Sequence, residues 1–590
     1  MSASSDPLTV ALTGQFLFVL IAAAVFALTL SLILLHRYRR AVLRSMRRRS
    51  RQSIAEPTGY MPPDEAHAHN ESPLAFRIVT SDAPGGDRKK DLLYRQVRRR
   101  PWLAALVYAV AGCSFAATMT AAFLWSSGME FLPFRFAYLT WANAWPVVLT
   151  INLVAAISRR AKIIVCAVYL LGGGALGIAL FDKSPDITVT QLGYLWFNAN
   201  AIPSVLLLIF LNRRIRAVGP LVMVFMLLGV AGASLAVTLT GRDPKLLRAI
   251  SNFAASLGLG ATATFWGLHL LGFFIFAVIG WLALGGLRRM YERKQLSERS
   301  INLDTIWLLY GMVNSIPLVF QGPRWIVSGF AAFAVFKIVA GAGFGLLRGR
   351  SDLKTPGPRL MLLRVFALGR RSEALYDAVG KCWRTVGSVQ LIAGPDLATS
   401  AVEPHEFLDF LSGKLARRFI DSGATLDLRM TQMDLLADRD GQFRVSEFFC
   451  HDDTWKLTLA RLADESDVVL MDLRGFSQTN DGCIFEIHEL FNLVPLHRLV
   501  FALDGTTDEP FLRRTMERAW RQLRDLSPNR RLSSAQVALV QLSGTGPMRN
   551  LLYAIGAAAS PFGGEVKVVE PETFRAKVRD EAKRILGSKD

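Results

Sequence analysis

Asp467-Val-Val-Leu-Met-Asp472-Leu-Arg474-Gly475 is the stretch on which the fold turns. Four apolar residues lead into a carboxylate, a guanidinium and a glycine, the pattern of a buried strand that carries charge to its tip and then turns. Outward from it, short β-branched runs alternate with amphipathic stretches. Strands are expected at 360–367, 389–393, 425–430, 467–473, 498–503 and 536–542, and helices at 372–386, 405–420, 453–463, 482–493, 510–526 and 547–558. That alternation predicts an α/β domain over 360–590 with a mainly parallel sheet, interrupted by an irregular insertion at 435–448.

A chain of this pattern is expected to be flavodoxin-like, and such sheets hold their ligands beyond the carboxyl ends of the strands. The candidate site is therefore the tip of the quoted strand: Asp472 and Arg474, the turn at Gly475, then Asp481-Gly482-Cys-Ile-Phe-Glu486, in which Gly482 opens a helix carrying Glu486 about one turn inside. The following strand ends in Asp504-Gly505 beside the same crevice. Over about residues 455–504 this run resembles the nucleoside 2-deoxyribosyltransferases and their TIR-like relatives, in which a strand with a terminal Asp leads through a turn to a Gly-x-x-x-Glu helix.

The resemblance implies a nucleoside- or nucleotide-binding crevice, with NAD or another nucleotide as ligand or substrate. Glu486 would be the catalytic carboxylate, and Asp472, Arg474, Gly475, Gly482 and Asp504 the ligand-binding residues. One carboxylate suits N-glycosidic cleavage or transfer, because it can stabilise or trap an oxocarbenium-like centre. The chain departs from the family after the Glu, with His488-Glu489 where the transferases have Gly and a small residue. The plainer alternative is that Asp472 and Glu486 cap a loop and pair with Arg474. No GxxxxGK[ST] run is present, and Gly544-Thr-Gly546 is the remaining glycine-rich turn. His451-Asp452-Asp453 reads as a helix start.

Upstream of residue 360 the chemistry changes. The 590 residues are 51% hydrophobic and 20% charged, with a net charge of +20. Residues 360–590 hold 30 Lys and Arg against 32 Asp and Glu, leaving 38 against 16 in residues 1–359. The basic excess thus travels with the apolar segments, where it sets membrane orientation, and nucleic acid is not an expected partner. A first apolar run at 14–35, followed by Arg37, Arg39 and Arg40, predicts an N-terminal anchor over 1–36 with its start outside the cell. Residues 37–100, basic and containing Pro57, Pro62, Pro63 and Pro73, read as a cytoplasmic linker, its His67 and His69 as solvated residues.

Further apolar runs at 101–125, 137–157, 163–181, 191–211, 220–239, 261–287, 305–320 and 325–347 predict an α-helical multi-pass domain over 101–348, about nine spans in all, joined by a linker at 349–359 to a cytoplasmic domain at 360–590. Residues 305–347 could form two spans or a re-entrant pair. Basic clusters at every second loop place the C-terminus inside, as expected of a multi-pass protein of the cell (inner) membrane. Lys337 is the one charge inside a run and has no acid within the runs to pair with; it is expected to reach backbone carbonyls or water. Asn198 and Asn200, with Pro203 and Gly172-Gly173-Gly174, mark either broken helices around a small site or close helix packing. The five cysteines have no CxxC or metal-like spacing, and no metal site is expected.

Three functions stay open on sequence alone: a membrane protein whose domain binds a nucleotide as sensor or effector, a channel or transporter regulated by that domain, and a membrane scaffold with a degenerate α/β interaction domain. The lipid bilayer is the expected partner, with a nucleotide and a second copy of the chain as candidates.

Overall fold

The computed structural model describes residues 7–47, 72–79, 88–155, 159–183, 188–210, 218–315, 317–349, 356–364, 370–394, 404–413, 415–532, 535–542 and 547–559. His67, His69 and the Gly544–Gly546 turn lie outside them. The helical half runs α1 (Pro7–Met46), α2 (Arg88–Ser126), α3 (Pro133–Asn143), α4 (Trp145–Val154), α5 (Arg159–Lys183), α6 (Val189–Phe210), α7 (Gly219–Arg242), α8 (Pro244–Ser256), α9 (Ala261–Glu292), α10 (Glu298–Ser315) and α11 (Ser328–Gly349), with strand β1 (Leu74–Ile78) between α1 and α2.

Five of the described helical segments are both long and apolar enough to cross a membrane: Ile21–Met46, Leu93–Ser126, Arg160–Ala179, Ala261–Glu292 and Ser328–Leu347. A sixth passage is Phe225–Gly241 with Pro244–Ser256, if that pair, bent by 104°, counts as one. Of the other predicted runs, that at 191–211 is the continuous helix α6, and those at 137–157 and 305–320 are interrupted. The run at 137–157 breaks at Ala144, where Pro146 starts a new helix as α4. The run at 305–320 ends as α-helix at Ser315 and continues as two 3-10 turns, Pro317–Gln321 and Pro323–Val327, because neither proline can donate to a helical ladder.

Small residues let these helices touch. A Cβ on Gly311 would meet the Gly329 carbonyl oxygen at 2.8 Å, closing α10 on α11, and one on Gly272 would meet the Gly232 carbonyl oxygen at 2.4 Å, closing α9 on α7. Helix α5 runs unbroken through Gly172–Gly174, and Gly173 makes room for the Trp141 ring. Helix α6 likewise runs through Pro203. Neither these glycines nor this proline breaks its helix, and Gly173 serves close packing.

The second half continues β2 (Arg359–Arg364), α12 (Arg370–Trp383), β3 (Ser388–Ala393), α13 (Pro404–Leu411), β4 (Phe419–Ile420), α14 (Gly423–Thr431), β5 (Val445–Cys450), α15 (Trp455–Glu465), β6 (Val468–Asp472), α16 (Asp481–Leu493), β7 (Leu499–Leu503), α17 (Glu509–Arg521), β8 (Ala535–Gln541) and α18 (Pro547–Ala558). All strands pair in parallel, in the order β1-β8-β7-β6-β2-β3-β5-β4. Sheets covered on both faces need continuous apolar strands. Accordingly Val469 and Met471 face α16 and its core residues Ile487 and Leu490, while Val468 and Leu470 face Trp383 and Ile555.

Three elements differ from expectation, the first being the helix read over 405–420, which ends at Leu411 and gives way to strand β4 at Phe419–Ile420. Residues 425–430, read as a strand, lie in helix α14, which Ser422 and Thr425 start with a reciprocal capping box. The sheet instead takes β5 from the end of the supposed irregular insertion, where Val445-Ser-Glu-Phe-Phe-Cys450 lacks the clean alternation of a half-exposed strand.

The larger difference concerns residues 37–100. Leu74–Ile78 form edge strand β1 on β8, in register from Leu74 against Ala535 to Ile78 against Leu539. At the opposite edge the extension of α1 packs Tyr38, Val42 and Met46 on Leu415, Phe419 and Phe449. Val97 at the start of α2 enters the core beside Trp383, Leu551 and Ile555, and a Cβ on Gly556 would meet the Tyr94 backbone at 3.5 Å. What reads as a tether therefore supplies three pieces of the α/β domain.

Candidate functional site

Strand β6 ends at Asp472, which is 1% exposed. Arg474 folds back on it in a fork, Nε to Oδ1 at 2.8 Å and Nη2 to Oδ2 at 2.7 Å. The chain can return on itself because Gly475 adopts φ 71°, where a Cβ would be strained. Phe476 then buries against Phe511, the rings stacked at 5.6 Å, and the Asp508 amide donates to the Phe476 carbonyl at 2.9 Å, tying this loop to the one after β7. In that second loop Asp504 accepts from the Thr506 amide at 2.9 Å. Burial works against the Arg474 charge, but the Asp472 hydrogen bonds and charge, with the charge of Asp504, hold its pKa above the usual arginine value. Asp472, Arg474, Gly475 and Asp504 are thus one cluster.

Helix α16 enters from the other side. Asp481 begins it, Gly482 is its second residue, and a Cβ on Gly482 would meet nothing within 4 Å, so close packing is not what this glycine serves. The Cys483 thiol lies 3.9 Å from the Arg364 carbonyl, which sets the first turn of α16 over the end of β2. Glu486, one turn deeper, is 2% exposed, and no hydrogen bond or ion pair reaches it among the described residues. Burial pushes its carboxyl up to about 8. The Asp472–Arg474 pair of the plainer reading is therefore present, but Glu486 takes no part in it.

Beyond Glu486 the departures from the family pattern have structural partners. Glu489 is ion-paired with Arg524. Burial, with Arg518 and Arg524 nearby, lowers His488 to about 4, so its imidazole is neutral at physiological pH.

Sequence reasoning missed Arg364 as a site residue. It ends β2 directly beside Asp472 in register and is 6% exposed. Its position at the end of the first strand was the available signal. His451 does precede a helix, but its ring also bridges two elements, Nδ1 to the Ser45 carbonyl and Nε2 to Asp421, each at 2.8 Å. Among the described residues no cluster of three or more His, Cys, Asp or Glu could hold a metal ion.

In the helical half Lys337 does not rely on carbonyls or water. Its amine pairs with Asp304 at 2.7 and 3.0 Å. Asp304 lies one residue before the run read as a span, which is why the sequence showed no partner. Asn200 donates to the Ala142 and Trp196 carbonyls at 3.0 and 2.8 Å, while the side chain of Asn198 lies outside the described residues.

Comparison with family models, with curated proteins and with solved structures finds no match to this chain.

Proposed function

We propose that the chain is a multi-pass protein of the cell membrane, its N-terminus outside, whose cytoplasmic flavodoxin-like domain binds a nucleotide or nucleoside at the carboxyl edge of the sheet and acts as sensor or effector. Nine passages remain the reading if α3 with α4 make one crossing and α10 another. The ends of α1 and α9 and the start of α2, all rich in arginine, contact the α/β domain, as does the start of α10, which supports a single cytoplasmic side.

The observation that carries the site is topological. Taken in chain order, β2, β3, β6, β7 and β8 stand as second, first, third, fourth and fifth across the sheet, so the winding reverses between β2 and β6. A crevice opens at such a reversal. Its two strands end in Arg364 and Asp472, with Arg474 and Asp504 alongside. Guanidinium groups suit phosphate and carboxylates suit ribose hydroxyls.

The state of Glu486 bears on whether the domain reacts or senses. A carboxyl titrating near 8 is mostly neutral at pH 7 and cannot stabilise a cationic sugar until it loses its proton. Incubating the purified full chain with NAD and with nucleosides, and assaying free nicotinamide or free base, tests the enzyme form. Turnover that rises with pH through about 8 and disappears in Glu486→Gln, with affinity little changed, supports it. Binding without product supports the sensor. A channel or transporter under control of the domain is the second reading, favoured by the Lys337–Asp304 pair and by Asn200 Oδ1, which is buried without a hydrogen-bond partner among the described residues.

A further inference from the structure

The cytoplasmic end of α1 carries an arginine face that the described residues leave uncompensated. Arg37, Arg40 and Arg44 follow at spacings of three and four, so they line one side of the helix. Tyr38, Val42 and Met46 line the other and are buried on the α/β domain, which fixes the direction in which the arginines point. With Ala41 and Phe410 of α13 they enclose an open groove of about 340 Å³. Phe410 is held edge-on to Tyr38 at 5.5 Å. All three arginines are exposed, and among the described residues none makes a hydrogen bond or ion pair. The neighbouring acid on α13, Asp409, is already occupied by Arg288 at 3.0 Å and Arg418 at 2.7 Å.

Three like charges converging on one groove repel one another until an anion enters, and the planar guanidinium fork matches phosphate oxygens. Height along the helix selects the source of that phosphate. The apolar run of α1 ends at Leu35, and Arg37 is the first arginine after it. At a rise of about 1.5 Å per residue, the groove begins where the helix leaves the hydrocarbon and climbs through the headgroup layer. Phe410 gives it an apolar wall at the same level.

We propose that Arg37, Arg40, Arg44 and Phe410 form a binding site for the phosphate headgroup of an anionic phospholipid of the cytoplasmic leaflet. The site rests on the reading of α1 as a membrane span and is independent of the nucleotide crevice. Because the opposite face of α1 is part of the domain core and its Ser45 carbonyl meets His451, an occupied groove would hold the domain against the bilayer.

The test uses the full chain, purified in detergent, stripped of lipid and titrated with phosphatidylglycerol or phosphatidylcholine while thermal unfolding is followed. The wild type should prefer the anionic lipid by on the order of a hundredfold. The variant Arg37→Ala/Arg40→Ala/Arg44→Ala should lose most of that preference, whereas Arg37→Lys/Arg40→Lys/Arg44→Lys should keep much of it. Removing exposed charge outside the groove, with Arg289→Ala/Arg293→Ala, should leave it in place. An equal loss in that control, or an unchanged preference in the alanine variant, overturns the site. Stabilisation by inorganic phosphate or glycerol 3-phosphate equal to that by lipid overturns the lipid as its source. If the triple alanine variant does not fold, Arg40→Ala alone should show a smaller loss of the same sign, and its absence counts against the proposal. Failure of the span reading would look different, because the chain would then stay monodisperse without detergent.

Discussion

At the amino edge of the sheet Arg444 grips Asp438, and at the carboxyl edge Arg474 grips Asp472; in both pairs the arginine side chain is 12% exposed and the aspartate 2%. Equal burial hides different surroundings. Arg444 also reaches the Tyr291 carbonyl and lies 4.0 Å over the Tyr291 ring, so its pair is shared with the end of α9. Around it Arg384 holds Glu298 at 2.9 Å, Lys294 holds Asp434, and Asp440 takes the Ser297 hydroxyl at 2.8 Å. This edge is a joint between the helices and the domain. At the carboxyl edge the Asp472–Arg474 fork stays within one turn of the domain itself, and Glu486 on α16 is buried with no hydrogen-bond or ion-pair partner among the described residues. Carboxylates matched by cations on one side, and a desolvated carboxyl with no partner among the described residues on the other, separate a surface that holds from one that could bind.

The contrast is broken most severely by cutting the domain from its supports. Residues 358–590 alone would lack β1, leaving the β8 edge open, and would expose the faces that Tyr38, Val42, Met46 and Val97 cover. That fragment should aggregate on size-exclusion chromatography while the full chain stays monodisperse in detergent. Next in size, Arg444→Ala removes the ion pair of the buried Asp438 carboxyl, and should lower stability by about 3–5 kcal/mol in thermal or denaturant unfolding. Within the helices, Lys337→Met and Asp304→Asn should each destabilise, and the double variant should recover a coupling energy of about 0.5–3 kcal/mol. Additive losses would mean the pair contributes nothing.

A further effect sharpens the carboxyl edge. Glu486 has its folded pKa raised to about 8 from an ordinary 4.5, so between those values the native state holds a proton that the unfolded state has released. Stability should therefore fall as pH rises through that window, by about 1.4 kcal/mol per pH unit, and level off above it. Glu486→Gln should flatten the dependence, as read by denaturant unfolding at pH 5 and at pH 8.

How much of this was legible follows from what each signal depends on. Strands β2, β3, β6, β7 and β8 announce themselves because a doubly covered parallel strand is a continuous apolar run, and Asp472, Arg474 and Gly475 follow from where such a run stops. Helix α14 was hidden because Leu426, Leu428 and Met430 alternate like a strand, and the Ser422 cap decided against it. Strand β1 could not be seen at all: Leu-Ala-Phe-Arg-Ile is too short to stand out, and its partner is more than four hundred residues away. Glu486 was legible as a residue but not as a desolvated one whose carboxyl is pushed up to about 8, since burial is set by α16 and the sheet together. The Lys337 partner was missed because a span read by hydropathy stops at the first acid, and Asp304 is that acid.

Nucleotide binding by the full chain, followed by thermal unfolding against a panel of nucleotides including NAD, tests the central claim most directly. One member of the panel at about a hundredfold over its Kd should add about 2.7 kcal/mol of stability. Each variant being compared with its own ligand-free state, that gain should vanish in Asp472→Asn, at the carboxyl edge, and persist in Arg444→Ala, at the joint. A gain unchanged by Asp472→Asn, or no gain from any nucleotide, would contradict the account.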